Sequence, residues 1–316
     1  YTGAWEDHTL LEVFQELGIT QVHAPCGGNG TCKKCLVTVE GLGEVLSCQT
    51  QCKDGMCVTV AEEQKSAIAE NGNCYLYPAD AGEGLLAACD IGTTTVVCHL
   101  LDGATGVRLC TVSAPNAQRS FGADVISRIQ ASVDSGLDKL QSAIVDQING
   151  MLVQLKQKAG RTEDIRRLAV AGNTVMSHLF CGLSPESIGV APFTPLSLFG
   201  ESYDAKQIGI EGCETVYVVP SIAGYVGGDI VADLAAVQMH SSVLAEDGEK
   251  ETLMLDIGTN GEMVLGRSGS YVCCATAAGP AFEGAEIAMG MPAASGAISK
   301  VWLEDGKICC STINDA

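Results

Sequence analysis

Sixteen cysteines are spread along the 316-residue chain, but only one group of them has the spacing of a ligand set. In "APCGGNGTCKKC", residues 24–35, Cys26, Cys32 and Cys35 are separated by five and then two residues. Iron–sulfur clusters are held by Cys thiolates, and a [2Fe–2S] centre needs four of them. Three ligands on so short a loop require backbone that curls tightly around an inorganic core. Gly27, Gly28 and Gly30 permit the positive φ values that such a curl demands. Their N–H groups can then point at the sulfurs and raise the reduction potential. The fourth thiolate must come from elsewhere: Cys48 in "VLSCQT" is the first choice, with Cys52 and Cys57 as rivals. Structural zinc also takes four thiolates, and Cys32-Lys-Lys-Cys35 alone fits a zinc knuckle. Zinc sites usually present two Cys pairs, so the third Cys five residues upstream favours the iron–sulfur reading.

A second constellation is repeated. "LAACDIGTTTVVCHLLDGATG" (86–106) and "TLMLDIGTNGEMVLGRSGS" (252–270) share an apolar run, then Asp-Ile-Gly-Thr, then a second β-like run. Asp90 corresponds to Asp256, Gly92 to Gly258 and Thr93 to Thr259. An Asp at a strand end can hold Mg²⁺ or its water, while Gly and Thr amides and hydroxyls donate to phosphate oxygens. The turn leads into a strand, and no GxxxxGK[ST] occurs, so this is not a P-loop. One such turn would be an ordinary hairpin. Two copies point to a nucleotide site between two similar lobes, with Asp90 and Asp256 on metal and Gly92, Thr93, Thr94, Gly258, Thr259, Asn260 and Gly261 around the phosphates.

The elements that must position these residues follow from periodicity. "HTLLEVFQELGI" places Leu10, Leu11, Phe14 and Leu17 at helical spacing, ahead of the cysteine loop and of β-like runs at 35–41 and 45–60. Residues 1–61 therefore read as a small cluster module, and the polar, Gly-rich stretch 62–84 as a linker. From Leu85 to residue 316 strands and helices alternate, the signature of α/β architecture. Apolar residues from Val125 to Leu155 predict one or two long amphipathic helices with a break near Ser135-Gly136. "RRLAVAG" (166–172) and "TVYVVPS" (215–221) read as buried strands.

Composition bounds the function class. A net charge of −20 disfavours a phosphate backbone as partner, so no nucleic acid is expected. No apolar run reaches the roughly 20 residues of a membrane helix. Cys89, Cys98, Cys110, Cys181, Cys273 and Cys274 lie in apolar, strand-like runs, where free Cys packs as a small hydrophobe. That usage fits a reducing cytoplasm.

Together these motifs carry a resemblance. The five-then-two cysteine spacing resembles plant- and adrenodoxin-type ferredoxins, with a shorter return to the fourth ligand if it is Cys48. The repeated turns look like those of the actin, sugar-kinase and heat-shock-ATPase superfamily. More narrowly, the chain resembles the ATP-dependent reductive activators of corrinoid proteins. The segments that carry this are "APCGGNGTCKKC", "LSCQT", "DIGTTTVV", "NAQRSFGADVISRI", "AGNTVMSHLFCGLSP", "PSIAGYVGGDIVADL", "LDIGTNGEMVL" and "AAGPAFEGAEIAMGMPAASGAI". It departs in lacking the extra domain that larger members carry after the cluster module, and the Gly-rich adenosine-binding segment; either the chain is a fragment with a truncated second lobe, or its adenine pocket is incomplete.

The resemblance implies an α+β ferredoxin-like domain followed by an α/β two-lobed actin-like ATPase fold. It implies a [2Fe–2S] cluster, ATP and Mg²⁺ as cofactors, and a corrinoid protein or corrinoid-dependent methyltransferase as partner. Electrons would come from a low-potential donor and return inactive Co(II) to Co(I) for methyl transfer; a homodimer is left open. Asp229, in "GYVGGDIVADL", would bind metal-bound water or cap its helix, and Glu283 would approach the nucleotide. His178 reads as a structural histidine ahead of an axial cobalt ligand. Asn173 and Thr174 would cap its helix. Rival readings are a kinase-like phosphotransferase with a redox-sensing cluster, a ferredoxin with a docking domain, and an activator of radical dehydratases.

Overall fold

A computed structural model of the chain describes residues 5, 7–19, 21–22, 24, 28–30, 33, 35–60, 82–240, 251–258, 260–267, 270–277, 296–304 and 306–313. The described residues fall into two compact units, one holding 5–60 with 82–232 and the other running from 233 onward. No helix among the described residues is long and apolar enough to cross a membrane.

The first unit begins with helix α1 (Leu10–Glu16). Thr9 starts it with a capping box, in which the Glu12 N–H donates to the Thr9 hydroxyl and the Thr9 N–H donates to the Glu12 carboxylate. Leu10, Leu11 and Phe14 are buried against strands β1 (Leu36–Val39), β2 (Gly43–Leu46) and β3 (Val58–Thr59), in the order β2-β1-β3. Cys35 and Cys48 belong to the same small core. This is an α+β arrangement, as the sequence predicts.

A six-stranded sheet follows. Strands β4 (Leu85–Ile91), β5 (Thr95–Asp102) and β6 (Arg108–Pro115) form an antiparallel meander. Helix α2 (Val125–Ala131), a π-helical turn (Ser132–Gly136) and helix α3 (Leu137–Ala159) come next, so the predicted break falls at Gly136. Strand β7 (Ile165–Gly172) pairs parallel to β4 and is followed by α4 (Thr174–Phe180). Strand β8 (Ser202–Asp204), helix α5 (Ala205–Ile208), strand β9 (Cys213–Val218) and helix α6 (Gly228–His240) complete the run. The sheet order is β6-β5-β4-β7-β9-β8. Leu140, Ile144, Ile148, Met151, Leu152 and Leu155 of α3 make one buried stripe at helical spacing, and the helix packs on β5, β6 and α4. Taking such a stripe out of water stabilises this unit by about 1.5–3 kcal/mol per large apolar side chain.

The second unit, described by itself, holds the antiparallel meander β10 (Thr252–Ile257), β11 (Asn260–Arg267) and β12 (Ser270–Ala277). The hairpin of β13 (Ile298–Glu304) and β14 (Lys307–Thr312) follows.

Candidate functional site

The thiols of Cys35 and Cys48 meet with their Sγ atoms 3.3 Å apart, both buried. Two backbone features bring them together. Cys35 sits where the loop enters β1, and Cys48 in the single 3₁₀ turn after β2; the Ser47 N–H donates to the Cys35 carbonyl at 2.9 Å. Gly28 and Gly30 both have positive φ, at 88° and 73°. An added Cβ at Gly28 would touch Leu11 and the Cys48 Cβ, so the loop lies directly over this thiol. Gln49 braces the loop by donating to the Gly28 carbonyl at 3.1 Å.

This donor set fits an iron–sulfur group. Burial, and then the neighbouring Cys35 thiol, push the Cys48 thiol above its ordinary range, while the Gly30 backbone N–H opposes the shift. Two thiolates packed so closely out of water require positive charge beside them, which iron supplies. Cys52 is half-buried and Cys57 exposed, and neither is paired with Cys35. Cys26 and Cys32 lie outside the described residues. Among the described residues no three His, Cys, Asp or Glu side chains gather as a metal site.

The first Asp-Ile-Gly-Thr motif forms the hairpin joining β4 to β5, with Ile91 paired to Val96. Asp90 is the last residue but one of β4 and is exposed. The turn is held from behind through its carbonyl groups. Asn116 donates from Nδ2 to the Gly92 carbonyl at 2.8 Å and from its N–H to the Thr94 carbonyl at 2.9 Å. Arg128 donates from Nη2 to the Thr93 carbonyl. The Thr93 hydroxyl accepts from Asn173 Nδ2 at 3.1 Å. These side chains hold the turn through its carbonyl groups and the Thr93 hydroxyl.

Asn173 also caps α4, its Oδ1 accepting the Met176 N–H at 3.0 Å, as the sequence predicts. The start of α6 reaches the same place. Gly227 lies so close to the Asn173 and Thr174 backbone that a Cβ would stand 2.4 Å from the Asn173 Cα. Gly-Gly in "GYVGGDI" therefore lets this helix begin against the end of β7. Asp229 sits in its first turn, half-buried, and its Oδ1 accepts the Ile230 N–H at 2.9 Å. Thus Asp90, Gly92, Thr93, Thr94 and Asp229 lie on adjoining segments of one unit.

The second motif forms the hairpin between β10 and β11, with Ile257 paired to Gly261 and Asp256 to Glu262. Asp256, Gly258, Asn260 and Gly261 thus sit on a turn of the predicted kind, in the other unit. Thr259 and Glu283 lie outside the described residues.

His178 is a structural residue. It is fully buried, with Nδ1 2.7 Å from the Thr174 carbonyl, and its Nε2 accepts the N–H groups of Leu196 and Ser197 at 3.2 and 3.3 Å. Both ring nitrogens are occupied, and burial lowers its pKa.

Sequence reasoning missed Asn116, Arg128 and Gln49, and took Asn173 only as a cap. Asn116 and Arg128 lie in "NAQRSFGADVISRI", a segment that carries the family resemblance as a whole and marks neither residue. A buried Arg inside an amphipathic pattern was the one available signal.

Comparison with known proteins agrees with this geometry. Residues 4–63 match the model of a 2Fe-2S iron-sulfur cluster binding domain. Residues 85–242 match the RACo middle region, and 250–316 the C-terminal domain of RACo, the ASKHA domain. The chain is 33% identical to the corrinoid activation enzyme RamQ of Eubacterium limosum, over 98% of this chain and 64% of the relative. It is 29% identical to a [Co(II) methylated amine-specific corrinoid protein] reductase of Methanosarcina barkeri, over 68% of this chain and 40% of the relative. It thus spans less than two thirds of the length of these curated relatives. A solved structure described as a reductive activator for corrinoid, iron-sulfur protein aligns over 99% of this chain and 68% of its own. The TM-score is 0.65 and the identity 30%. With a 2Fe-2S cluster binding domain followed by the RACo middle region and the RACo ASKHA domain, this chain belongs to the RACo family.

Proposed function

We propose that the protein transfers single electrons, at the expense of ATP, to a corrinoid protein and returns its Co(II) to Co(I). The observation that carries this reading is the coexistence in one unit of a buried Cys35–Cys48 thiol pair and a prebraced phosphate turn. A docking module would have no use for the second, nor a simple kinase for the first.

In this reading residues 1–61 are the cluster module, 62–84 a linker and 85–316 the ATPase domain. Cys26, Cys32, Cys35 and Cys48 would hold the [2Fe–2S] group, which supplies a one-electron carrier at about −400 mV in its plant-type form. Burial of Cys35 and Cys48 shields that carrier from water and oxidants. Asp90 and Asp256 would hold Mg²⁺, and Asp229 a metal-bound water. Gly92, Thr93 and Thr94, with Gly258, Thr259, Asn260 and Gly261, would receive the phosphates. Cobalt reduction to Co(I) is uphill from such a carrier, each ~59 mV costing a factor of ten in a one-electron equilibrium. Closure on ATP would supply the work.

The test is anaerobic reduction of candidate corrinoid proteins with and without ATP, followed through the cobalt absorption spectrum. Co(I) should accumulate only with nucleotide. Equal yields without it would overturn the reading.

A further inference from the structure

Arg128 is a fully buried cation whose retention the reading above leaves unexplained. No carboxylate lies within ion-pair range of it among the described residues. Burial lowers its pKa to about 9, with Arg119 adding to the shift and Asp124 opposing it, so it is still charged at neutral pH. A buried charge without a counterion is costly, and an apolar residue of like volume would pack at least as well. Its donors are divided among three segments. Nη2 serves the Thr93 carbonyl of the phosphate turn, Nε the Gly122 carbonyl at 3.0 Å, and Nη1 the Met176 sulfur at 3.0 Å.

The Gly122 segment leads to the cluster module. Two residues upstream, the Ser120 carbonyl accepts from Gln15 Nε2 of α1 at 2.8 Å. A second tie joins Lys139 of α3 to Glu16 of α1 at 3.4 Å. Helix α2, which carries Arg128, also faces the cysteine loop. Ser127, Gln130 and Asp134 line one side of a cavity of about 380 Å³ whose other side includes Gly28, Asn29 and Cys48. The π-helical turn Ser132–Gly136 follows this helix, and single π turns inside helices are frequent at functional sites.

We propose that Arg128 is a positioning residue that couples the first phosphate turn to the cluster module. This rests on the nucleotide reading of that turn. Phosphate bound at the amides of Gly92–Thr94 moves the Thr93 carbonyl on the other side of the same peptides. The rigid guanidinium fork carries that movement to Gly122 and α2. Gln15 and the cavity wall then change the surroundings of Cys48, and hydrogen bonding and solvent access at a cluster sulfur set its potential. By linkage the effect is reciprocal: the redox state must alter nucleotide affinity.

The experiment uses the full chain with its cluster. Midpoint potential is read by EPR-monitored titration, with and without saturating Mg²⁺ and a non-hydrolysable ATP analogue. Analogue affinity is measured separately on oxidised and reduced protein. The wild type should shift its potential with nucleotide, and its two affinities should differ by about fivefold or more. Arg128→Met should lose the shift at saturating analogue. The double variant Gln15→Ala, Lys139→Ala lies outside the core, so it decides the matter if Arg128→Met does not fold; it should also lose the shift. A wild type that binds analogue with no shift overturns the coupling, as does a shift surviving in either variant. A wild type that binds no analogue overturns the nucleotide reading itself.

Discussion

The Sγ atoms of Cys35 and Cys48 stand 3.3 Å apart, joining two segments separated by twelve residues. This proximity supports the proposal of Cys48, over Cys52 and Cys57, as the fourth cluster ligand. Cys48→Ser should lose bound iron and visible colour, whereas Cys52→Ser and Cys57→Ser should keep both. Iron content and absorption of the three purified variants decide it; full iron in Cys48→Ser would sink the assignment.

Asp90 is exposed near the end of β4, one residue before the strand gives way to the first turn. Asp90→Asn should lower ATP-dependent Co(I) formation and phosphate release by about ten- to a hundredfold or more. The iron content and cluster spectrum should be unchanged. An unimpaired phosphate-release rate would remove Asp90 from the metal site.

Asn173 has two separable tasks, capping α4 through Oδ1 and holding the Thr93 hydroxyl through Nδ2. Asn173→Asp keeps the acceptor and loses the donor, so its melting temperature should stay near wild type while nucleotide affinity falls. Asn173→Ala loses both and should also cost about 1 kcal/mol of stability. Thermal unfolding alongside nucleotide titration distinguishes them; equal affinity in Asn173→Asp and wild type would show that the Thr93 contact is idle.

His178 makes a pH prediction. Burial lowers its folded pKa beneath the unfolded value of about 6.5, so the unfolded chain takes up a proton first as pH falls. The stability it contributes is complete above that pH and declines below it, toward the folded pKa. Protonation also destroys the Nε2 acceptor for Leu196 and Ser197. His178→Ala should flatten the acid limb of the stability profile. It should also lower stability at neutral pH by about 1–3 kcal/mol for each backbone group left unsatisfied. Denaturant unfolding between mildly acid and neutral pH measures both; an unchanged acid limb in the variant would refute the role.

Much of this was legible in the chain because local physics wrote it there. The Leu10, Leu11, Phe14 stripe announces α1. The alternation in "LLAACDI" announces a strand with one buried face, and Gly136 falls where the long helical pattern breaks. The duplication of Asp-Ile-Gly-Thr is likewise a local pattern, and both copies form hairpins. Less legible were the groups behind the turn. Asn116 and Asn173 are 24 and 80 positions distant from their partners Gly92 and Thr93, and no short pattern encodes such a meeting.

The sequence by itself determined the donor types: thiols spaced for a cluster, and two carboxylates each followed by a tight hydroxyl-bearing turn. Ligand chemistry and turn geometry act over a few residues, so composition and spacing suffice to reveal them. Tertiary structure alone decided which thiol faces Cys35, and which side chains seize the carbonyl groups of Gly92, Thr93 and Thr94. Those choices depend on the packing of β4 beside β7 and of α2 beside α4. There, close packing brings distant residues together and leaves buried polar groups no solvent partner.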